Sequence, residues 1–263
     1  MQLTLEGQTA LITGASRGIG LAMAERFLAA GANVMLSSRK AEDLAASMSG
    51  LVAGGADPSK VGWQAAHVGD LEQARACVAG TVARFGGLDI LVNNAGRAHP
   101  GTFATLTDAD FQEDLEVKLF SQIRCSRAAL PHLRAAGGGA IININAIYGR
   151  QPDPAFFATT VDRAACLALN KAMAMEFGPE GILVNSVNIG FVRTPQWKTI
   201  HQLRAPELSE EEFFTKAAKP EVPLGRFGEP EEVAGLVAFL ASRRASYITG
   251  ASIDVAGGMG RYV

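Results

Sequence analysis

Thr13-Gly14-Ala15-Ser16-Arg17-Gly18-Ile19-Gly20 joins a short apolar run to an amphipathic stretch. Three glycines at such a strand-to-helix turn bare backbone N–H groups at the positive end of a helix dipole, which is chemistry for phosphate. At the first strand of an alternating chain this loop predicts a dinucleotide, held by Gly14, Ser16, Arg17, Gly18, Ile19 and Gly20. The second apolar run ends in Ser37-Ser38-Arg39-Lys40, with no carboxylate before Glu42. An acid there would hold a ribose 2′-hydroxyl; Ser38 and Arg39 suit a 2′-phosphate instead, and Arg17 can reach the same group. The expected cofactor is therefore NADP(H). Further on, Thr159 and Arg163 stand four residues apart, one turn on one helix face.

These residues need a scaffold, and the apolar pattern supplies one. Runs at 8–13, 33–37, 61–66, 89–93, 140–145, 183–188 and 252–255 read as buried strands. Between them Ile19, Ala22, Met23, Phe27 and Ala30 repeat at helical spacing, as do Phe111, Leu115, Leu119 and Ile123. The alternation predicts an α/β fold: one single-domain, Rossmann-type doubly wound parallel sheet of about seven strands over 1–263, with helices on both faces. The more polar segment 193–223, with its run Glu210-Glu211-Glu212, reads as a helical substrate flap whose charges form a solvated face.

Composition narrows the function. Of 263 residues 48% are hydrophobic and 19% charged, below the ~25% usual for soluble chains and in keeping with a sheet buried on both faces. A net charge of −2 argues against a nucleic-acid partner. The longest uncharged stretch, 135–149, is too short for a membrane span and holds Asn143 and Asn145. No secretory signal is visible at the N-terminus. Cys77, Cys125 and Cys166, odd in number and far apart, suit free thiols in a reducing cytoplasm. The four histidines never fall at metal-ligand spacing, so no metal is expected.

With its motifs in order, the chain resembles the short-chain dehydrogenase/reductase family along nearly its whole length. The TGxxxGxG loop is Thr13 to Gly20; the family's NNAG is Asn93-Asn94-Ala95-Gly96. Asn185 and the stretch Ile189-Gly190-Phe191-Val192-Arg193-Thr194 resemble the segment that closes over the nicotinamide. The resemblance extends the cofactor set to His67, Val68, Asn94, Ala95, Gly96, Ile189, Gly190, Val192, Thr194 and Arg163, and it implies a homotetramer.

The family's catalytic Asn, Ser, Tyr and Lys are all replaced. Their positions hold Lys118, Ala146, Thr159 and Arg163. Arginine can bind and orient but cannot relay a proton, and threonine is a far weaker acid than tyrosine. Three residues are candidates for the missing acid: Lys118, whose pKa burial beside Arg163 would lower; Tyr148, two residues beyond Ala146; and His99, just past the NNAG strand. Each has a plainer reading, as a residue that pairs with Glu116 or a carbonyl, packs, or faces solvent. Two functions follow. One is an NADP(H)-dependent oxidoreductase with a non-standard centre, reducing a small carbonyl or imine-type substrate. The other is a catalytically silent NADP(H)-binding sensor or partner subunit. Tyr148, Phe156, Phe157, Phe191 and Trp197 point to an apolar substrate, with Arg97 and Arg150 available for an anionic end.

Overall fold

In the computed structural model, which describes residues 3–260 and Tyr262, seven strands form one parallel sheet. They are β1 (Thr9–Thr13), β2 (Asn33–Ser38), β3 (Val61–Ala65), β4 (Ile90–Asn93), β5 (Gly139–Ala146), β6 (Ile182–Ile189) and β7 (Ser252–Val255). Their spatial order is β3-β2-β1-β4-β5-β6-β7, the doubly wound order, and it reverses between β1 and β4. Ligands of such sheets lie beyond the strands' C-terminal ends at that reversal.

The helices are α1 (Gly18–Ala29), α2 (Ala41–Ala53), α3 (Leu71–Phe85), α4 (Asp108–Leu115), α5 (Ser121–Ala135), α6 (Phe157–Phe177), α7 (Pro195–Arg204), α8 (Glu210–Ala218) and α9 (Pro230–Ala241). Side-chain alternation along the strands divides the core into two layers. Ala10, Ile12, Val34, Leu36, Ile142, Ile144 and Val187 face α1 and α9. Leu11, Met35, Leu91, Ile141 and Val184 face α3, α5 and α6. Burial on both faces is why the strands read as near-continuous apolar runs. No described helix is long and apolar enough to cross a membrane.

All seven expected strands form. The runs expected at 140–145 and 183–188 are longer in the structure, because β5 and β6 pair in register from Gly139↔Ile182 to Ala146↔Ile189. The helix expected from Phe111, Leu115, Leu119 and Ile123 differs in phase. Between α4 and α5 lies a π turn, Glu116–Phe120, whose wider winding shifts the faces of the helix. The four apolar residues end only half-buried, and the buried face is Asp114, Lys118, Ser121, Gln122, Cys125, Ser126 and Ala129. The helix delivers its polar residues to the interior.

The segment 193–223 carries α7 and α8. Ser209 caps α8 in a capping box with Glu212, so the acidic run sits at a helix N-terminus, where the dipole favours it. Beneath, Phe213 and Phe214 join Ile147, Ala218, Val222, Phe227, Ala256 and Met259 in a third apolar cluster.

Candidate active site

The glycine loop and the NNAG segment are one unit. Thr13 Oγ1 donates to Val92 O at 3.3 Å and accepts from the backbone N–H groups of Asn94 and Ala95 at 2.9 and 3.0 Å. Asn94 Nδ2 donates to Thr13 O and Gly14 O. Gly14 and Gly18 hold φ of +66° and +56°, a region that disfavours side chains. Gly20 is excluded by space instead: a Cβ there would stand 2.2 Å from Gly14 O. The loop thus keeps a bare backbone surface beside the start of α1, with Ser16 half-buried, Ile19 buried beneath and Arg17 exposed.

Other expected cofactor residues gather along the same edge. Ser38 ends β2 beside Ala65, with Arg39 exposed next to it, and half-buried His67 and buried Val68 follow β3. Ile189 ends β6 opposite Ala146. Gly190 lies against Ala256 and Met259, while Gly18 faces Thr194, which opens α7, and Pro195. Val192 is buried and bridges to Gly228. A cleft of about 360 Å³ runs between the start of α1 and α7, lined in part by Gly18, Thr194 and Pro195. Asn93 donates to Asn143 Oδ1 at 2.9 Å, Asn143 to Asn170 Oδ1 at 3.0 Å, and Asn170 to Ala251 O at 3.2 Å. This buried amide ladder ties β4, β5 and α6 together behind the site.

Helix α6 presents Thr159, Asp162, Arg163 and Cys166 on one buried face, as their spacing requires. Arg163 Nη1 donates to Ile144 O at 3.0 Å, and a Cβ on Gly96 would lie 3.1 Å from Nη2. The guanidinium therefore spans from the end of β5 to the NNAG loop. Asn145 donates to Arg163 O at 3.1 Å and accepts from Ala146 N–H at 2.9 Å, fixing the backbone on both sides.

Lys118 is fully buried. Its Nζ donates to Thr159 Oγ1 at 2.7 Å and is ion-paired with Asp114 Oδ2. Thr159 Oγ1 lies 3.3 Å from the same carboxylate oxygen. Glu116 is not the partner; it pairs with Arg124. Burial and the neighbouring Arg163 lower the Lys118 pKa to about 8, against the opposing pull of Asp114. Asp162 is moved the other way, to about 7, by burial and then by the neighbouring Asp114 carboxylate. Asp114 and Asp162 were not singled out from the sequence. The legible signal for Asp114 was its i,i+4 spacing to Lys118.

Packing and pairing engage several of the other candidates. Tyr148 stacks on Phe156, ring centroids 5.2 Å apart, and burial raises its phenol to about 12, so it is a poorer acid than free tyrosine. Arg97 pairs with Glu113, and Arg150 donates to Ser252 O and lies over the Tyr262 ring; neither guanidinium is idle. Phe191 and Trp197 pack edge to face, and both contact the buried Phe227 ring. His99 sits with Nδ1 at 3.6 Å from Asp114 Oδ1 and Nε2 at 3.5 Å from Asp110 Oδ1.

Comparison with known proteins places this chain in a family. The profile of the Enoyl-(Acyl carrier protein) reductase family matches residues 14–260. The 3-oxoacyl-[acyl-carrier-protein] reductase FabG of Thermotoga maritima is 32% identical over 260 residues, covering 98% of this chain and 99% of that protein. A short chain oxidoreductase of Pseudomonas aeruginosa, solved with NADPH bound and said to contain an atypical catalytic center, is 38% identical. It superposes with a TM-score of 0.92 over 99% of each chain. The L-sorbose reductase of Gluconobacter frateurii, solved with NADPH and L-sorbose, is 35% identical with a TM-score of 0.94 over 100% of both chains. The chain belongs to the short-chain dehydrogenase/reductase family.

Proposed function

We propose that the protein is an NADP(H)-dependent oxidoreductase whose centre is built on Lys118, Thr159 and Arg163, reducing a small carbonyl or imine-type substrate. The observation that carries the reading is the buried Lys118 ammonium bonded to the Thr159 hydroxyl. NADPH supplies the hydride when bound. The bare loop around Gly20 suits its pyrophosphate, exposed Arg39 and Arg17 its 2′-phosphate, and Arg163 beside Gly96 a nicotinamide ribose. Ala146 leaves the serine position without a donor, so Thr159 Oγ1 is the hydroxyl that meets the substrate heteroatom. Threonine alone is too weak an acid; Lys118 supplies the proton it passes on. Segment 193–223 closes over the substrate as a flap in the same single unit.

The test is NADPH consumption across a panel of ketones, aldehydes and imines. Failure of every substrate while NADPH still binds returns the chain to a silent nucleotide sensor or partner subunit. Lys118 acts in its charged form, so the reduction rate is expected to fall as pH rises through about 8. A flat profile to about pH 9 counts against Lys118 as acid. Arg39→Ala is expected to weaken NADPH roughly 10–100-fold, the loss of a charge-assisted hydrogen bond, while leaving NADH little changed; paired titrations read this directly.

Two features bear on assembly and location. The half-buried stripe of Phe111, Leu115, Leu119 and Ile123 is an apolar face suited to a second copy, in keeping with a homotetramer; a monomeric mass by light scattering would refute it. Cys77, Cys125 and Cys166 are free and buried, which suits a reducing cytoplasm.

A further inference from the structure

Behind the Lys118–Thr159 pair lie acceptors without donors. Asp114 and Asp162 are both buried, at 1% and 0% exposure. Asp114 Oδ1 and both Asp162 carboxyl oxygens have no hydrogen-bond donor among the described residues. Of the neighbouring cations, Lys118 is bonded to Asp114 Oδ2 and Thr159 and Arg163 Nη1 to Ile144 O, while Arg163 Nε is buried and meets none of these oxygens. Ionised carboxylates only accept, so two that face each other are satisfied only when one carries a proton. Asp162 and Asp114 make that carboxyl–carboxylate contact, and burial together with Asp114 holds the Asp162 proton on to about neutral pH. Like charges this close in the interior cannot both ionise.

The second observation lies on the other side of Asp114. His99 Nδ1 is buried without a partner, and it faces the orphaned Asp114 Oδ1 at 3.6 Å. His99 Nε2 faces Asp110 Oδ1 at 3.5 Å, and the Asp110 side chain is 35% exposed. Asp110, His99, Asp114 and Lys118 thus form a line of titratable groups from the surface to Thr159. The remaining groups packed against it are Asp162, Arg163 and Cys166 from α6. Arginine does not release protons, and the Cys166 thiol, raised by burial, donates to Lys118 O at 3.6 Å. Glu113 and Glu116 are turned to Arg97 and Arg124.

We propose that Asp114 and Asp162 share one proton that recharges Lys118, and that His99 is the port through which solvent restores it. This deepens the reductase reading and rests on it for its role in turnover. In each reduction the substrate carbon gains the hydride of NADPH and its heteroatom gains the Thr159 proton. Thr159 takes a proton from Lys118, Lys118 takes one from the Asp114–Asp162 pair, and His99 returns one from water. The sum is one NADPH and one solvent proton consumed per C=O or C=N bond reduced. Lys118 has no solvent-exposed surface, so this route links it to solvent through neighbouring groups.

The shared proton is testable in the resting protein by infrared spectroscopy, without substrate. At about pH 6, below the value to which burial raises Asp162, the wild type should show the carboxylic-acid C=O stretch of a buried, protonated side chain. Asp162→Asn should abolish it. Asp114→Asn should abolish it too, because the new amide donates to Asp162 and lets it ionise. His99→Gln should keep the band and slow its shift on mixing into D2O by about tenfold or more, the scale of a lost proton-transfer group. Absence of the band in the folded wild type, its survival in Asp162→Asn or Asp114→Asn, or unchanged exchange in His99→Gln would overturn the proposal. A failed substrate panel bears on the reductase reading alone, because none of these measurements needs turnover.

Discussion

Asp114→Ala is expected to destabilise the fold by about 3–5 kcal/mol, the loss seen when one partner of a buried ion pair is removed. In a domain of this size that lowers the melting temperature by roughly 6–20 °C. Lys118 would keep its burial and lose its ion-pair partner, with the Thr159 hydroxyl left as acceptor and Asp162 as a weaker counter-charge. Such a lysine escapes part of the penalty by shedding its proton, since burial and Arg163 already bring it to about 8. The deficit should therefore depend on pH. In the variant the folded-state pKa drops further, while the unfolded chain keeps the ordinary lysine value of about 10.4. Between those values the unfolded state binds more protons, so the variant's stability rises with pH; the parent rises in parallel only above about 8, so the deficit shrinks as pH climbs to about 8 and levels off beyond it. Denaturant melts of wild type and variant across that range measure it. Asp114→Leu combined with Lys118→Met should recover most of the loss, because a packed apolar pair needs no desolvated charge. A single variant as stable as the parent would mean that the pair carries no net charge in the fold.

That pair also marks where sequence reasoning stopped. The strands were legible because a doubly covered parallel sheet leaves little choice: residues such as Leu11, Ile12, Val34 and Ile142 are buried whichever face they point to. The glycine loop was legible because Gly14 and Gly18 adopt left-handed backbone and Gly20 has no room for a Cβ. The polar interior was not. Helical periodicity counts 3.6 residues per turn, and the π turn at Glu116–Phe120 breaks that count for Lys118, Leu119 and Ile123, while Asp114 already faces inward on the regular α4 before it. Read with regular winding, Phe111, Leu115, Leu119 and Ile123 face inward; in the structure Asp114 and Lys118 do. Asp162 was invisible for a different reason. A carboxylate beside Arg163 on a helix reads as a solvated charge, and only the fold shows it buried at 0% exposure against a second carboxylate. Tyr148 illustrates the converse. Its place after β5 invites a catalytic role, and only the stacked Phe156 ring shows the phenol engaged in packing.

Lys118→Met and Lys118→Arg are expected to lower the reduction rate by about 10²–10⁴, the usual contribution of a positioned acid, while leaving NADPH affinity nearly unchanged. The two substitutions fail for different reasons. Methionine matches the length of the buried side chain but supplies no proton to Thr159. It also leaves the Asp114 carboxylate without its ion-pair partner, so its loss of rate comes with a loss of stability. Arginine keeps the charge and can still pair with Asp114, but a guanidinium with a pKa above about 12 does not release a proton at working pH. If Lys118 served only to neutralise Asp114, arginine would restore activity; if it is the acid, arginine restores the fold and not the rate. The pH profile separates the cases again. The decline through about pH 8 set by the Lys118 ammonium should vanish in both variants, leaving a slow, nearly flat residue of activity from hydride positioning alone. Steady-state kinetics across pH, with NADPH titrations beside them, decide between an acid and a counter-ion. Retention of more than about a tenth of the parent rate by the folded arginine variant would remove Lys118 from the chemistry.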